Sequence, residues 1–234
     1  MLENRHKKSM DGPPQKLKFF VDVLPNNTKK ALHFLSAQER LVKTDWYLAG
    51  GTALALQAGH RLSVDLDFFT HHPRFDNEDL LDRLSSCEAL EIVLNKDNTV
   101  FVALFGAKAS FIAYPFFVPQ QEPLWHGSVR VLHKIDIAVM KIVAVSQRGR
   151  KRDFFDLYWC AKNLEPLEEI IKRLPAQYPS VAHNYHHILK AMVYFEDAES
   201  DPEPEIFFKA SWEEIKLFFN KEIPIITKKL LRLG

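Results

Sequence analysis

The chain has 234 residues, 47% apolar and 26% charged, with 18 Phe and four Trp. That balance excludes collagen-like and wholly disordered chains, and it can build a sizeable core in one or two domains. The formal charge of +1 gives no net field to draw in polyanions, so any phosphate or nucleic-acid affinity must come from local patches.

In chain order, Met1–Pro14 is polar and basic and reads as a flexible lead-in, with no apolar core of a secretory signal. Helical spacing is predicted over Lys16–Leu24 and over Asn27–Leu41, the latter capped by Asn27 or Thr28. Trp46–Ala49 reads as a short strand that runs through Gly50-Gly51-Thr52 into a helix over Ala53–Ala58. From Arg61 to Phe68 polar odd positions alternate with apolar even ones, which predicts a strand with one face on a core. A helix over Asp76–Leu84 follows, then strands over Leu90–Leu94, Thr99–Phe105 and Ala109–Val118, the last two joined by a turn at Gly106-Ala107-Lys108.

After a strand at Val129–Leu132 the pattern is helical: Lys134–Gln147, closed by Gly149, then Lys151–Leu164, Leu167–Leu174, Val181–Phe195, Trp212–Asn220 and Pro224–Leu233. The expected fold class is α+β: a mixed β-sheet flanked by helices, with a C-terminal helical bundle. The expected boundaries are a lead-in and helix over 1–26, a mixed domain over 27–164 and a helical domain over 165–234. No stretch approaches the roughly 20 apolar residues that span a bilayer. Two distant cysteines, Cys87 and Cys160, form neither a disulfide framework nor a zinc spacing. The expectation is a cytoplasmic protein without a membrane segment.

Glycine is scarce. There are eight, against roughly 16 at the usual ~7%, and two of them, Gly50 and Gly51, are adjacent. An apolar strand, a glycine pair and a helix N-terminus form a phosphate-binding device, because the backbone can approach a ligand while free N–H groups point at it. Thr52 could cap that helix and offer its hydroxyl. Equally, the pair could be a tight turn without a ligand. Asp65 and Asp67 leave the same face of the next strand, about 7 Å apart at the Cα. Aspartate is depleted in strands and like charges repel, so the pair points to Mg²⁺, which takes one or two carboxylates and completes its shell with water and phosphate. Arg61 and Ser63 share that face and could hold further phosphate oxygens.

These residues carry a resemblance. Leu48-Ala49-Gly50-Gly51-Thr52-Ala53-Leu54, then Gly59-His60-Arg61-Leu62-Ser63-Val64-Asp65-Leu66-Asp67-Phe68-Phe69, resembles the AbiEii/AbiGii toxin-like nucleotidyltransferases, within the DNA polymerase beta-like nucleotidyltransferase superfamily. Lys141, Arg148, Arg152, Asp153 and Asp156 are similar to that family's second motif. Together the motifs span about half of the chain. Read physically, Lys141 and Arg148 lie two helical turns apart on one face, and Arg152, Asp153 and Asp156 open the next helix. They either neutralise a triphosphate, with the aspartates orienting the cations or acting near the nucleophile, or lock two helices together.

The resemblance implies Mg²⁺-dependent transfer of a nucleoside monophosphate from an NTP to an acceptor hydroxyl (RNA, tRNA or protein), a two-metal site as one arrangement, and a toxin role with a cognate antitoxin. Asp65 and Asp67 would be the metal ligands. Gly50, Gly51, Thr52, Arg61, Ser63, Arg148 and Arg152 would bind the nucleotide, and Lys141, Asp153 and Asp156 would complete the catalytic set. The wider superfamily has a third carboxylate on a later strand, yet Ala109–Tyr114 carries no acid. Asp153 or Asp156 substitutes, or the metal has two protein ligands, or catalysis is lost and the fold serves as a binding module. His183, His186 and His187 read as an exposed helix face, His71-His72 as a loop, and Tyr114-Pro115-Phe116-Phe117 as core or strand end.

Overall fold

A computed structural model describes residues 19–42 and 44–231. The lead-in and the first residues of the helix expected at Lys16–Leu24 lie outside these. What is described of that helix is one 3-10 turn, Val21–Val23.

Seven strands form one mixed sheet: β1 (Tyr47–Ala49), β2 (Leu66–Thr70), β3 (Leu90–Lys96), β4 (Thr99–Leu104), β5 (Ala107–Ala113), β6 (Leu124–His126) and β7 (Val129–Val131), in the order β3-β4-β5-β2-β1-β7-β6. The centre is β5-β2-β1-β7. There β2 runs antiparallel to β1, and the β2–β5 and β1–β7 pairs are parallel. One face of this centre is apolar: Leu66, Phe68, Ala109 and Phe111 are fully buried or nearly so, and the Phe68 and Phe111 rings stack 4.9 Å apart. The opposite face carries Asp67, Phe69, Ser110 and Ile112, in the register Asp67↔Ser110 and Phe69↔Ile112.

The helices are α1 (Asn26–Ser36), α2 (Glu39–Val42), α3 (Gly50–Ala58), α4 (Asn77–Leu84), α5 (Lys134–Arg148), α6 (Lys151–Asn163), α7 (Leu167–Lys172), α8 (Leu174–Gln177), α9 (Tyr185–Ala191), α10 (Glu196–Glu199) and α11 (Trp212–Leu230). Among the described residues no helix is long and apolar enough to cross a membrane. The fold is the expected α+β architecture, and its core continues from the sheet through Phe154 and Phe155 to Trp212, Ile215 and Phe219 in α11.

Several boundaries differ from the sequence expectation. The helix expected over Asn27–Leu41 stops at Ser36 and resumes at Glu39. Neither Asn27 nor Thr28 caps it; the Thr28 hydroxyl donates to the Val64 carbonyl instead. The strand expected from Arg61 begins only at Leu66, and the polarity upstream is inverted: Arg61 and Ser63 are buried while Val64 is exposed. The β4–β5 turn sits at Phe105-Gly106, one residue early, and β5 ends at Ala113 rather than Val118. Leu124–His126 is a strand the pattern did not show. The tail helices are shorter at Leu167–Lys172 and Tyr185–Ala191, while Trp212–Leu230 is continuous through Pro224.

Helix α3 is tied to the strand–helix junction ahead of α5 by one buried side chain. Gln57 Nε2 donates to the carbonyls of Ala53 and Leu132, both at 2.8 Å, and its Oε1 accepts from Lys134 N at 2.9 Å. Replacing Gln57 with Leu orphans the Leu132 carbonyl and the Lys134 N–H. A loss of about 1–3 kcal/mol is expected in urea denaturation, and an unchanged midpoint would contradict this role.

Candidate active site

One cleft of about 360 Å³ is lined by Gly50, Gly51, Arg61, Asp65, Asp67, Lys141, Arg148 and Arg152, with an apolar wall that includes Phe69, Ile112, Tyr114, Met140 and Tyr178. The two sequence motifs, some 70 residues apart, therefore meet. Thr52, Ser63, Asp153 and Asp156 lie behind the cleft surface, all buried.

The glycine pair is explained first by what lies next to it. Gly50 has φ +67°, and a Cβ there would stand 3.1 Å from Asp67 Oδ2. A Cβ on Gly51 would meet Arg61 Nη2 at 2.1 Å, so any side chain there would have to push the guanidinium off Asp156. Helix α3 starts at Gly50 itself, and its N-terminus has no side-chain cap, so the first N–H groups remain free to bind an anion. Thr52 is thus not the cap. Its hydroxyl donates to the Asp65 carbonyl and lies 2.8 Å from the Ser63 hydroxyl, fastening α3 to the approach to β2. The hydroxyls expected on phosphate serve this joint.

Behind the turn lies a buried charge cluster. Asp156 is fully buried; its Oδ1 accepts from Arg61 Nε at 2.6 Å and pairs with His60 Nε2 at 2.8 Å. Its Oδ2 accepts from Arg61 Nη2 at 2.9 Å and Lys141 Nζ at 2.7 Å. Asp153, also fully buried, accepts from Lys141 Nζ at 2.6 Å and Arg148 Nε at 2.9 Å. Burial alone would raise both carboxyls, but Arg61 and Lys141 hold Asp156 well below the usual carboxylate range, and Lys141 and Arg148 hold Asp153 down. Burial likewise opposes the Lys141 ammonium, and the two aspartates outweigh it. Neither Asp153 nor Asp156 is available to replace a third metal carboxylate, and Arg61 is committed to Asp156 rather than free to clamp a phosphate. Three cations face two carboxylates, and the excess emerges at Arg148, half-exposed toward the cleft and close enough to Asp67 to feel its charge.

Asp65 and Asp67 are half-buried on the cleft surface. Two carboxylates of hard oxygen, one on a strand and one just before it, with open space in front for water and phosphate, fit a Mg²⁺ donor set. The position on β5 facing Asp67 is Ser110, whose hydroxyl donates to Asp67 Oδ1 at 2.7 Å. Sequence reasoning missed Ser110, His60 and Lys108. The only signal for the first is its pairing with Asp67, which a single sequence does not display. Tyr114 also turns out to line the cleft instead of only ending a strand, while Phe117 is core and Phe116 exposed.

Other candidates lie elsewhere. Among the described residues, Asp45, His71 and His72 are the group whose possible metal-ligand atoms lie within 4.8 Å of one another. They are exposed, and Asp45 is paired with His72 at 2.7 Å and Arg130 at 3.5 Å. His71 follows Asp67 by four residues, roughly 13 Å along the strand direction. His183 and His187 bond the Tyr178 and Ser146 carbonyls, respectively. Burial pushes the Cys160 thiol up, away from any nucleophilic role.

The pattern of the family described as "Nucleotidyl transferase AbiEii toxin, Type IV TA system" matches residues 33–103 and 103–225. The chain belongs to the AbiEii nucleotidyltransferase toxin family. An uncharacterized protein of Aquifex aeolicus (strain VF5) is 34% identical over 185 residues, covering 76% of this chain and 86% of that protein. Among solved structures, a "putative nucleotidyltransferase from H. pylori" aligns with TM-score 0.52 and 23% identity over 88% of this chain and 96% of that one. MenT4, a nucleotidyltransferase toxin of Mycobacterium tuberculosis H37Rv, aligns with TM-score 0.52 and 16% identity over 87% and 86%. These two likenesses establish the fold; membership of the family makes this chain a nucleotidyltransferase.

The charge cluster makes two predictions. Lys141→Met leaves two buried carboxylates short of a cation and should cost about 3–5 kcal/mol in chemical denaturation. Arg148→Ala should cost less, because that side chain is half in water. The second concerns pH. His60 is held below its usual pKa, first by burial and then by Arg61 and Lys141, against the pull of Asp156. Its folded pKa is depressed, so the unfolded chain takes up a proton that the folded one refuses once the pH drops below about 6.5. The lowered aspartates add a loss of the same sign below about pH 4. The melting temperature should fall in both windows; a flat profile from pH 7 to 5 would remove His60 from this account.

Proposed function

We propose that this chain moves a nucleoside monophosphate from an NTP to an acceptor hydroxyl at this cleft, with Mg²⁺ held by Asp65 and Asp67. The observation that carries the reading is the convergence of these two carboxylates, the uncapped N-terminus of α3 and the excess cation of the Asp153/Asp156 cluster on one cleft. When bound, the cation would polarise the α-phosphate and favour ionisation of the acceptor hydroxyl. The backbone N–H groups from Gly50 onward bind phosphate oxygens. Arg148 and the exposed Arg152 offset charge that builds on the leaving pyrophosphate. The acceptor oxygen forms the new bond to the α-phosphorus, the bond to pyrophosphate breaks in line, and the hydroxyl proton passes to water. Thr52, Ser63, Asp153 and Asp156 act one layer back, and together with Arg61 and Lys141, which the two buried aspartates hold at the cleft wall, they keep those groups in place. The acceptor is a hydroxyl of RNA, tRNA or protein. Under the toxin reading the partner is a cognate antitoxin, and the site of action is the cytoplasm.

The test uses α-labelled NTPs, Mg²⁺ and pools of tRNA, other RNA and protein. Transfer of label should fall about 100-fold or more in Asp65→Asn and Asp67→Asn, and expression of the native chain, but not of the Asp67 variant, should arrest growth. Equal labelling by both variants would remove the two aspartates from the site.

A further inference from the structure

The Asp67 carboxylate is held from two sides. Ser110, 3% exposed and paired directly with Asp67 across β2–β5, donates its hydroxyl to Oδ1 at 2.7 Å. Oδ2 abuts Gly50, 3.1 Å from the place a Cβ would occupy. A strand hydroxyl therefore fixes the rotation of the carboxylate, and a glycine leaves just enough room for its other oxygen. Two residues back on the same face of β5, Lys108 also lines the cleft, its ammonium 5.3 Å from the Phe101 ring centroid.

We propose that Ser110 is the positioning residue for Asp67, and that the cleft takes one divalent cation per chain through Asp65 and Asp67. This rests on the metal-dependent reading above. Two cations about 3.5–4 Å apart need carboxylates to share between them. Here the strand position facing Asp67 supplies a neutral hydroxyl, which engages one of the Asp67 oxygens. Asp153 and Asp156 are saturated by Arg61, Lys141, Arg148 and His60. Lys108 adds a positive charge on the same strand face, which further opposes a second cation. The remaining anionic donors, Asp65 and Asp67, match the one or two carboxylates that a single Mg²⁺ uses.

Mn²⁺ titration followed by electron paramagnetic resonance reads both parts, with and without a non-hydrolysable NTP analogue. The native chain should saturate at one Mn²⁺. Ser110→Ala should weaken Mn²⁺ binding by about tenfold or more, as loss of an outer-shell partner does, and Ser110→Thr, which keeps the hydroxyl, should retain near-native affinity. A purely structural serine would change the melting temperature and leave Mn²⁺ affinity alone. Two Mn²⁺ per native chain, or native affinity in Ser110→Ala, overturns the proposal. No Mn²⁺ uptake by the native chain, even with the analogue, instead overturns the metal-dependent reading beneath it.

Discussion

Asp153 and Asp156 sit on one turn of α6 with no access to water. A charge in that position costs several kcal/mol unless it is paired and hydrogen-bonded, and both carboxylates are ionised because cations reach them. Those cations come from separate parts of the chain: Arg61 from the segment between α3 and β2, and Lys141 and Arg148 from α5. Neutralising two aspartates thus fixes the α5–α6 pair against the approach to β2. A hydrophobic contact would hold these elements together but would not set their register so closely, since it has no direction.

The register matters because the cleft is built on the far side of the same residues. Arg61 passes so close to Gly51 that a Cβ there would displace its guanidinium, and Thr52 and Ser63 fasten the first turn of α3 to the strand approach that carries Asp65. The sheet then places Asp67 opposite Ser110 and next to Gly50. The carboxylates of Asp65 and Asp67 and the positive surplus at Arg148 line the same cleft, with Arg148 near enough to Asp67 to feel its charge. That arrangement suits a ligand that carries both a cation and several phosphates. The apolar wall of Phe69, Ile112, Tyr114 and Tyr178 gives the same cleft a surface for a flat, uncharged part.

Much of this was legible in the sequence where the signal is local. The long helices α5 and α6 follow their periodicity, Gly149 closes the first with φ +51°, and the glycine pair stands at a strand–helix junction. The residues singled out as candidates gather at one cleft or directly behind it. What the sequence hid depends on distant partners. Arg61 and Ser63 look like the solvent face of a strand; Arg61 is buried against Asp156, 95 residues away, and Ser63 against the Thr52 hydroxyl, so the alternation inverts. The glycines look like room for a ligand, yet the closest atoms are Asp67 and Arg61. Ser110 carries no motif at all. Pro224 marks a helix boundary by its chemistry, but α11 continues through it, anchored on either side by buried Phe219, Ile223 and Ile226.

The buried cluster organises the cleft and does more than add stability. Calorimetry of Mg²⁺–NTP binding to Asp156→Asn tests it most directly, since the substitution keeps the shape and removes the charge. With folding checked by near-ultraviolet circular dichroism, the folded variant should bind nucleotide about tenfold or more weakly, the scale expected when an outer-shell partner is lost. A folded Asp156→Asn chain that binds Mg²⁺–NTP as tightly as the native one would contradict it.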